Sequence, residues 1–157
     1  MQFESFSYRH ADEILNSKFS IRKEVLAAVA SVAETKVKAG KEGLGVKITE
    51  AFTTRGWRSE VQVAENQEHK QFFDLFKERV AIEIEFSRYE FVYRDYFRFL
   101  SAYNTDKIDA GILIIHDDTA LGRVKHKAIA PSLSRVRDDF AWLRPTLTVP
   151  IWVIALK

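Results

Sequence analysis

The sequence predicts an α/β fold, with a mixed central sheet flanked by helices. Three observations carry that expectation. Some stretches place apolar residues at three- and four-residue steps, and others are short apolar runs of strand length. The two kinds alternate along the 157 residues. The length suits one compact domain over 1–157, with enough chain to bury a single core.

Taken in order, His10-Ala11-Asp12-Glu13-Ile14-Leu15 predicts a short helix. Ser20, followed by Ile21 and then an acidic residue at Glu24, suits a helix N-cap. Ile21, Val25, Leu26, Val29, Val32 and Ala33 then recur at helical spacing, predicting one amphipathic helix over 21–38 that ends at Gly40, Gly43 and Gly45. The segment 45–52 suits a first strand and Thr53-Thr54-Arg55-Gly56 a turn. Segments 71–76 and 80–86 read as two strands joined by the polar turn Lys77-Glu78-Arg79. A helix is expected over 89–103, where Tyr89, Tyr93, Tyr96, Phe97 and Leu100 make a stripe suited to core or dimer-interface packing. The run 109–116, with Gly-Ile-Leu-Ile-Ile inside it, has the composition of a buried strand. Pro131 can open a helix over 132–143, and 149–156 closes the chain as a last strand.

Composition narrows the function classes. The chain has no cysteine, which excludes disulfides and thiolate metal sites. Its four histidines show no zinc-type spacing, and His116 and His126 read as structural. No apolar run approaches a membrane span and the first residues lack a signal-peptide charge pattern, so a cytoplasmic protein is expected. A net charge of +2 permits a nucleic-acid partner without demanding one.

The chemistry concentrates around Val80-Ala81-Ile82-Glu83-Ile84-Glu85-Phe86. On a strand, Ile82, Ile84 and Phe86 face one side, and Glu83 and Glu85 face the other, about 6–7 Å apart. Asp74 on the preceding strand can fold back beside Glu83, bringing three hard oxygen donors to one spot. Such carboxylates resist ionising together unless a cation compensates them, and Mg²⁺ is the natural compensator. On spacing alone, the same pattern also fits a solvated strand face.

Two separate segments resemble a known family. Asp74, Glu83 and Glu85, followed by Phe86-Ser87-Arg88-Tyr89-Glu90-Phe91, are similar to the active-site segment of the BglII type II restriction endonucleases, which have the PD-(D/E)XK nuclease fold. Tyr8-Arg9-His10-Ala11-Asp12-Glu13-Ile14-Leu15 resembles the N-terminal segment of the same family. The resemblance implies a restriction-endonuclease-like core that hydrolyses double-stranded DNA with Mg²⁺ at a short palindrome. It also implies a homodimer and a companion DNA methyltransferase in the cell. Asp74, Glu83 and the carbonyl of Ile84 would be metal ligands. Glu85 fills the position that is lysine in most of the superfamily, glutamine in BglII and a general-base glutamate in BamHI. It is therefore the candidate to orient or deprotonate the attacking water. Glu60 is a candidate accessory acid. A non-specific processing nuclease of the same fold, or an inactive DNA-binding module, are the alternatives.

DNA contacts are expected from Ser87 and Arg88 after the active-site strand, and from Arg123, Lys125 and Lys127. An arginine can read guanine in the major groove, and alternating basic residues suit phosphates. A solvated helix start at Arg88 and a solvated charge run at 123–127 fit the same residues. Arg94 and Arg98, four apart on the aromatic helix, face either phosphates or water.

Overall fold

A computed structural model of the chain describes residues 3–34, 43–65, 68, 70–123 and 129–157. In chain order the elements are β1 (Phe3–Tyr8), α1 (Ala11–Ser17), α2 (Phe19–Glu34), α3 (Leu44–Thr53), β2 (Arg58–Gln62), β3 (Phe72–Lys77) and β4 (Val80–Ile84). They continue with α4 (Tyr89–Asn104), β5 (Ala110–His116), a 3-10 turn over Ala120–Arg123, α5 (Leu133–Trp142) and β6 (Ile151–Leu156).

The six strands form one mixed sheet in the order β1-β6-β5-β4-β3-β2. Its centre, β4-β5-β6, is parallel, and β1 pairs antiparallel with β6. The β3–β4 hairpin and β2 extend the other side antiparallel. Period-two alternation sends side chains of one strand into two cores. Phe73, Ala81, Leu113, Ile115 and Val153 pack under α4 and α5 through Val92, Tyr96, Phe99, Val136 and Phe140. Leu75, Ile82, Ile112, Ile114 and Ile154 pack under α1, α2 and α3 through Leu15, Ile21, Val25, Ile48 and Phe52. The expected α/β class, with helices on both faces, is what the chain adopts. No helix among the described residues is long and apolar enough to cross a membrane.

Several boundaries differ from the expectation. The segment 45–52 is helix α3, not a strand. Its β-branched Val46, Ile48 and Thr49 carry strand propensity, but Ile48 and Phe52 lie one turn apart and are both buried, so tertiary packing on a helical face overrides it. Helix α2 begins at Phe19, which places Ser20 inside the first turn instead of at the N-cap. The strand expected over 80–86 leaves its ladder at Ile84. Strands β1 and β2, unforeseen from sequence, are the two sheet edges.

Two close contacts fix the elements around the centre of the molecule. Glu78 and Arg79 both have positive φ, the backbone of a two-residue hairpin turn that sets the β3–β4 register. Gly111 on β5 meets the ring of Phe99 so closely that an added Cβ would lie 2.8 Å from it. Helix α4 therefore rests directly on the sheet.

Candidate active site

The β3–β4 hairpin pairs Lys77 with Val80, Phe76 with Ala81 and Leu75 with Ile82, and then opens. The next step of that register sets Asp74 opposite Glu83. In a continued ladder the Ile84 N–H would face the Phe73 carbonyl. Instead it donates to Asp74 Oδ2 at 2.7 Å. Asp74 thus replaces a backbone partner at the point where the strands part.

Strand alternation places Glu83 and Glu85 on the α4 face, as expected, and Ile82 and Ile84 in the opposite core. Glu83 is 1% exposed and Glu85 6%. Helix α4 supplies the counter-charges. Arg98 Nη1 donates to Glu83 Oε1 at 3.2 Å and to Asp95 Oδ1 at 3.5 Å. Its Nε and Nη2 both donate to Gln71 Oε1, at 3.1 and 2.9 Å. Arg94 Nη2 lies 3.2 Å from Asp95 Oδ1 and 3.8 Å from Glu85 Oε2. Glu85 Oε1 accepts from the Ser87 N–H at 2.7 Å, the Ser87 hydroxyl at 2.5 Å and the Arg88 N–H at 3.2 Å.

The acids therefore share a neighbourhood without meeting at a single point. Among the described residues, no three His, Cys, Asp or Glu side chains are grouped so as to hold a metal ion as they stand. Of the three acids expected at one spot, Asp74 and Glu83 face each other, while Glu85 Oε1 is held in the Ser87–Arg88 bend by its own hydrogen bonds.

The electrostatics are those of crowded, desolvated carboxylates. Burial, then the negative charges of Asp95 and Asp74, push Glu83 up to about 9. Burial lifts Asp95 to about 7 against the pull of Arg94 and Arg98. Burial also raises Asp74, with the Ile84 N–H opposing it. Counted as ionised, Asp74, Glu83, Glu85 and Asp95 carry four negative charges against the two positive charges of Arg94 and Arg98. The remainder equals the charge of one divalent cation, and the donors are hard carboxylate oxygens.

The other anticipated residues are more dispersed. Glu60 is exposed on edge strand β2, in the register position opposite Asp74, with φ of 53°. Ser87 and Arg88 form the exposed bend into α4, where Arg88 pairs with Glu90 at 2.6 Å. Arg123 ends the 3-10 turn, and its side chain lies outside the described residues together with Lys125, His126 and Lys127. His116 is half-buried against the Phe86 ring at 4.5 Å between centroids, and burial lowers its pKa, in keeping with a structural role. The aromatic stripe mostly packs inward. Tyr93 and Tyr96 donate to Asp139 on α5, while Phe97 stays 72% exposed.

The sequence does not single out Asp95 or Gln71, and it leaves Arg98 facing either phosphate or water. The available signal was the charged set Arg94-Asp95-Arg98, whose i, i+3 and i, i+4 spacing puts it on one helical stripe next to the tyrosines.

Comparison with known proteins bears out the resemblance carried by the two segments. The family model for restriction endonuclease BglII/BglIII matches residues 3–156. No curated protein matches the chain. The fold is similar to that of the restriction endonuclease BglII complexed with a DNA 16-mer. That likeness has a TM-score of 0.80 at 17% identity and covers 99% of this chain and 76% of the other. Free BglII gives a TM-score of 0.69 at 18% identity, over 100% of this chain and 80% of its own.

Proposed function

The chain belongs to the BglII/BglIII restriction endonuclease family, and on that premise we propose that it is a Mg²⁺-dependent type II enzyme cutting double-stranded DNA at a short palindrome. The observation that carries the metal dependence is the pair of desolvated carboxylates at the opened hairpin. Asp74 and Glu83 face each other there, the first half-buried, the second buried and both with raised pKa, so ionising both calls for a cation beside them.

In this reading Asp74 and Glu83 hold the cation, with the carbonyl of Ile84 as a further ligand. When bound, Mg²⁺ supplies charge to the scissile phosphate and acidity to a water. The residues of the chain do the rest. Glu85, fixed by Ser87 and Arg88 amides, keeps one carboxylate oxygen anchored and orients the attacking water through the other, accepting its proton. Glu60 is an accessory acid at the edge, and Glu60→Gln is expected to slow cleavage far less than Glu83→Ala.

Ser87 and the N-cap Arg88 lie between the acidic strand and α4, so a duplex placed at the acids also meets Arg88. We assign them to base reading, and Arg123, Lys125 and Lys127 to phosphates. The chain acts as a single nuclease domain and as a homodimer, two active sites serving two strands of a palindrome. It works in the cytoplasm beside a methyltransferase that protects host sites.

The decisive assay is cleavage of plasmid and phage DNA with Mg²⁺, comparing wild type with Glu83→Ala. Discrete Mg²⁺-dependent bands from wild type alone are expected. A smear would assign a non-specific nuclease, and full activity in Glu83→Ala would overturn the active-site assignment.

A further inference from the structure

We propose that Arg98 is a positioning residue that clamps the opened hairpin and sets the separation of Asp74 from Glu83. The inference rests on the reading of those two acids as metal ligands.

The argument begins with the ladder. Backbone pairing fixes β3 against β4 as far as Leu75 and Ile82, and the named strand pairs stop there. The two acids sit one residue beyond, where backbone-to-backbone pairing gives way to a single main-chain bond onto a side chain. That bond, from the Ile84 N–H to Asp74 Oδ2 at 2.7 Å, holds Asp74 but leaves the Glu83 carboxylate unplaced. A metal site tolerates little error in the separation of the two acids, since Mg²⁺ demands near-ideal octahedral geometry.

Arg98 spans this gap. One end of its guanidinium holds Glu83 Oε1 on β4 at 3.2 Å. The other end makes a two-pronged contact with Gln71 Oε1 at 3.1 and 2.9 Å. Gln71 lies immediately before β3 and three residues before Asp74. The planar fork thus ties the strand carrying one acid to the segment leading into the strand that carries the other. Asp95, one turn back on α4, steadies Arg98 from the side at 3.5 Å. Arg98 is itself 15% exposed, and burial limits the alternatives open to its side chain.

The alternative role is charge compensation alone, and the two make opposite demands. A compensating charge needs only a cation near Glu83. Lysine would then serve as well as arginine, and Gln71, which is neutral and touches neither acid, would be irrelevant. A clamp needs the fork and both of its ends, because lysine is a point donor without the planar bidentate geometry.

The test is a titration of Mn²⁺ into the full-length, DNA-free protein. Bound ion is followed by loss of the free-ion electron paramagnetic resonance signal, and a thermal melt of each variant establishes folding. Wild type, Glu83→Ala, Arg98→Lys, Arg98→Met and Gln71→Leu are compared. The clamp predicts that Arg98→Lys, Arg98→Met and Gln71→Leu each weaken Mn²⁺ binding by about 10–100-fold, the usual cost of losing a group that orients a ligand. Wild-type affinity in Arg98→Lys and Gln71→Leu overturns the proposal, as does tighter binding in Arg98→Met. If wild type and Glu83→Ala bind Mn²⁺ alike, the metal-site reading itself fails and the clamp with it.

Discussion

Glu83 is the residue whose chemistry is most exposed to pH. Burial and the neighbouring Asp95 and Asp74 raise it from its ordinary 4.5 to about 9. A group with a folded pKa above its unfolded one contributes stability that is complete below the unfolded value and is lost as pH rises through the folded value. In EDTA, the Tm of the protein is therefore expected to fall as pH climbs from 4.5 towards about 9. Glu83→Gln keeps the shape and cannot ionise, so it should flatten that fall. Thermal melts across the range check this, and an unchanged slope in Glu83→Gln would remove Glu83 as the source. Metal binding needs the ionised form, so Mg²⁺ affinity should rise over the same interval. The placement of Asp74 opposite Glu83, and of Glu83 and Glu85 on one face, is legible in the sequence because strand alternation and hairpin folding are local rules. The roles of Asp95 and Gln71 are not, because they depend on which way α4 faces when it lands on the sheet.

Helix α4 lands where it does because β5 makes room for it. The ideal Cβ at Gly111 would lie 2.8 Å from Cγ and Cδ1 of Phe99, which is the neighbour of Arg98 in sequence. Gly111→Ala must push the ring, and with it the helix, away from the sheet. Overpacking of this kind costs about 1–3 kcal/mol. The expected outcome is a Tm lowered by several degrees, together with slower cleavage at unchanged active-site residues. Calorimetry and a plasmid assay measure the two effects. A Tm drop with full cleavage would show that the registration of α4 does not matter to the acids. The legibility of the elements has the same physical basis. Strands β4, β5 and β6 are buried on both faces and announce themselves as apolar runs. Edge strand β2, whose Arg58, Ser59 and Glu60 are exposed, carries no such signal. Helix α3 has the composition of a strand because β-branched residues line a helical face, and the buried pair Ile48 and Phe52 carries the helical period.

On the proposed reading, cutting both strands of a palindrome at one encounter asks for two active sites, and one chain carries one Asp74–Glu83 pair. A second copy is the economical source of the other, related by a two-fold axis that matches the symmetry of the site. The outer face of α4 and α5 is the surface suited to it. Phe97 on α4 is 72% exposed. Tyr93, Leu100, Leu143 and Leu147 line an apolar cleft of about 320 Å³ beside Phe97. Aromatic anchors of this kind dominate association energy when they become buried. Sedimentation equilibrium is expected to give twice the 18.2 kDa chain mass. The substitution Phe97→Glu puts a charge on a face that would meet its own copy, so it should yield a monomer. Its buried acids are untouched, so each monomer should still engage one strand. On supercoiled plasmid the variant should nick and accumulate open circles before linear product, whereas wild type linearises directly. A variant that remains dimeric and still linearises would move the interface to another face of the molecule. A wild type that sediments as a monomer yet linearises in one encounter would remove the two-fold dimer altogether.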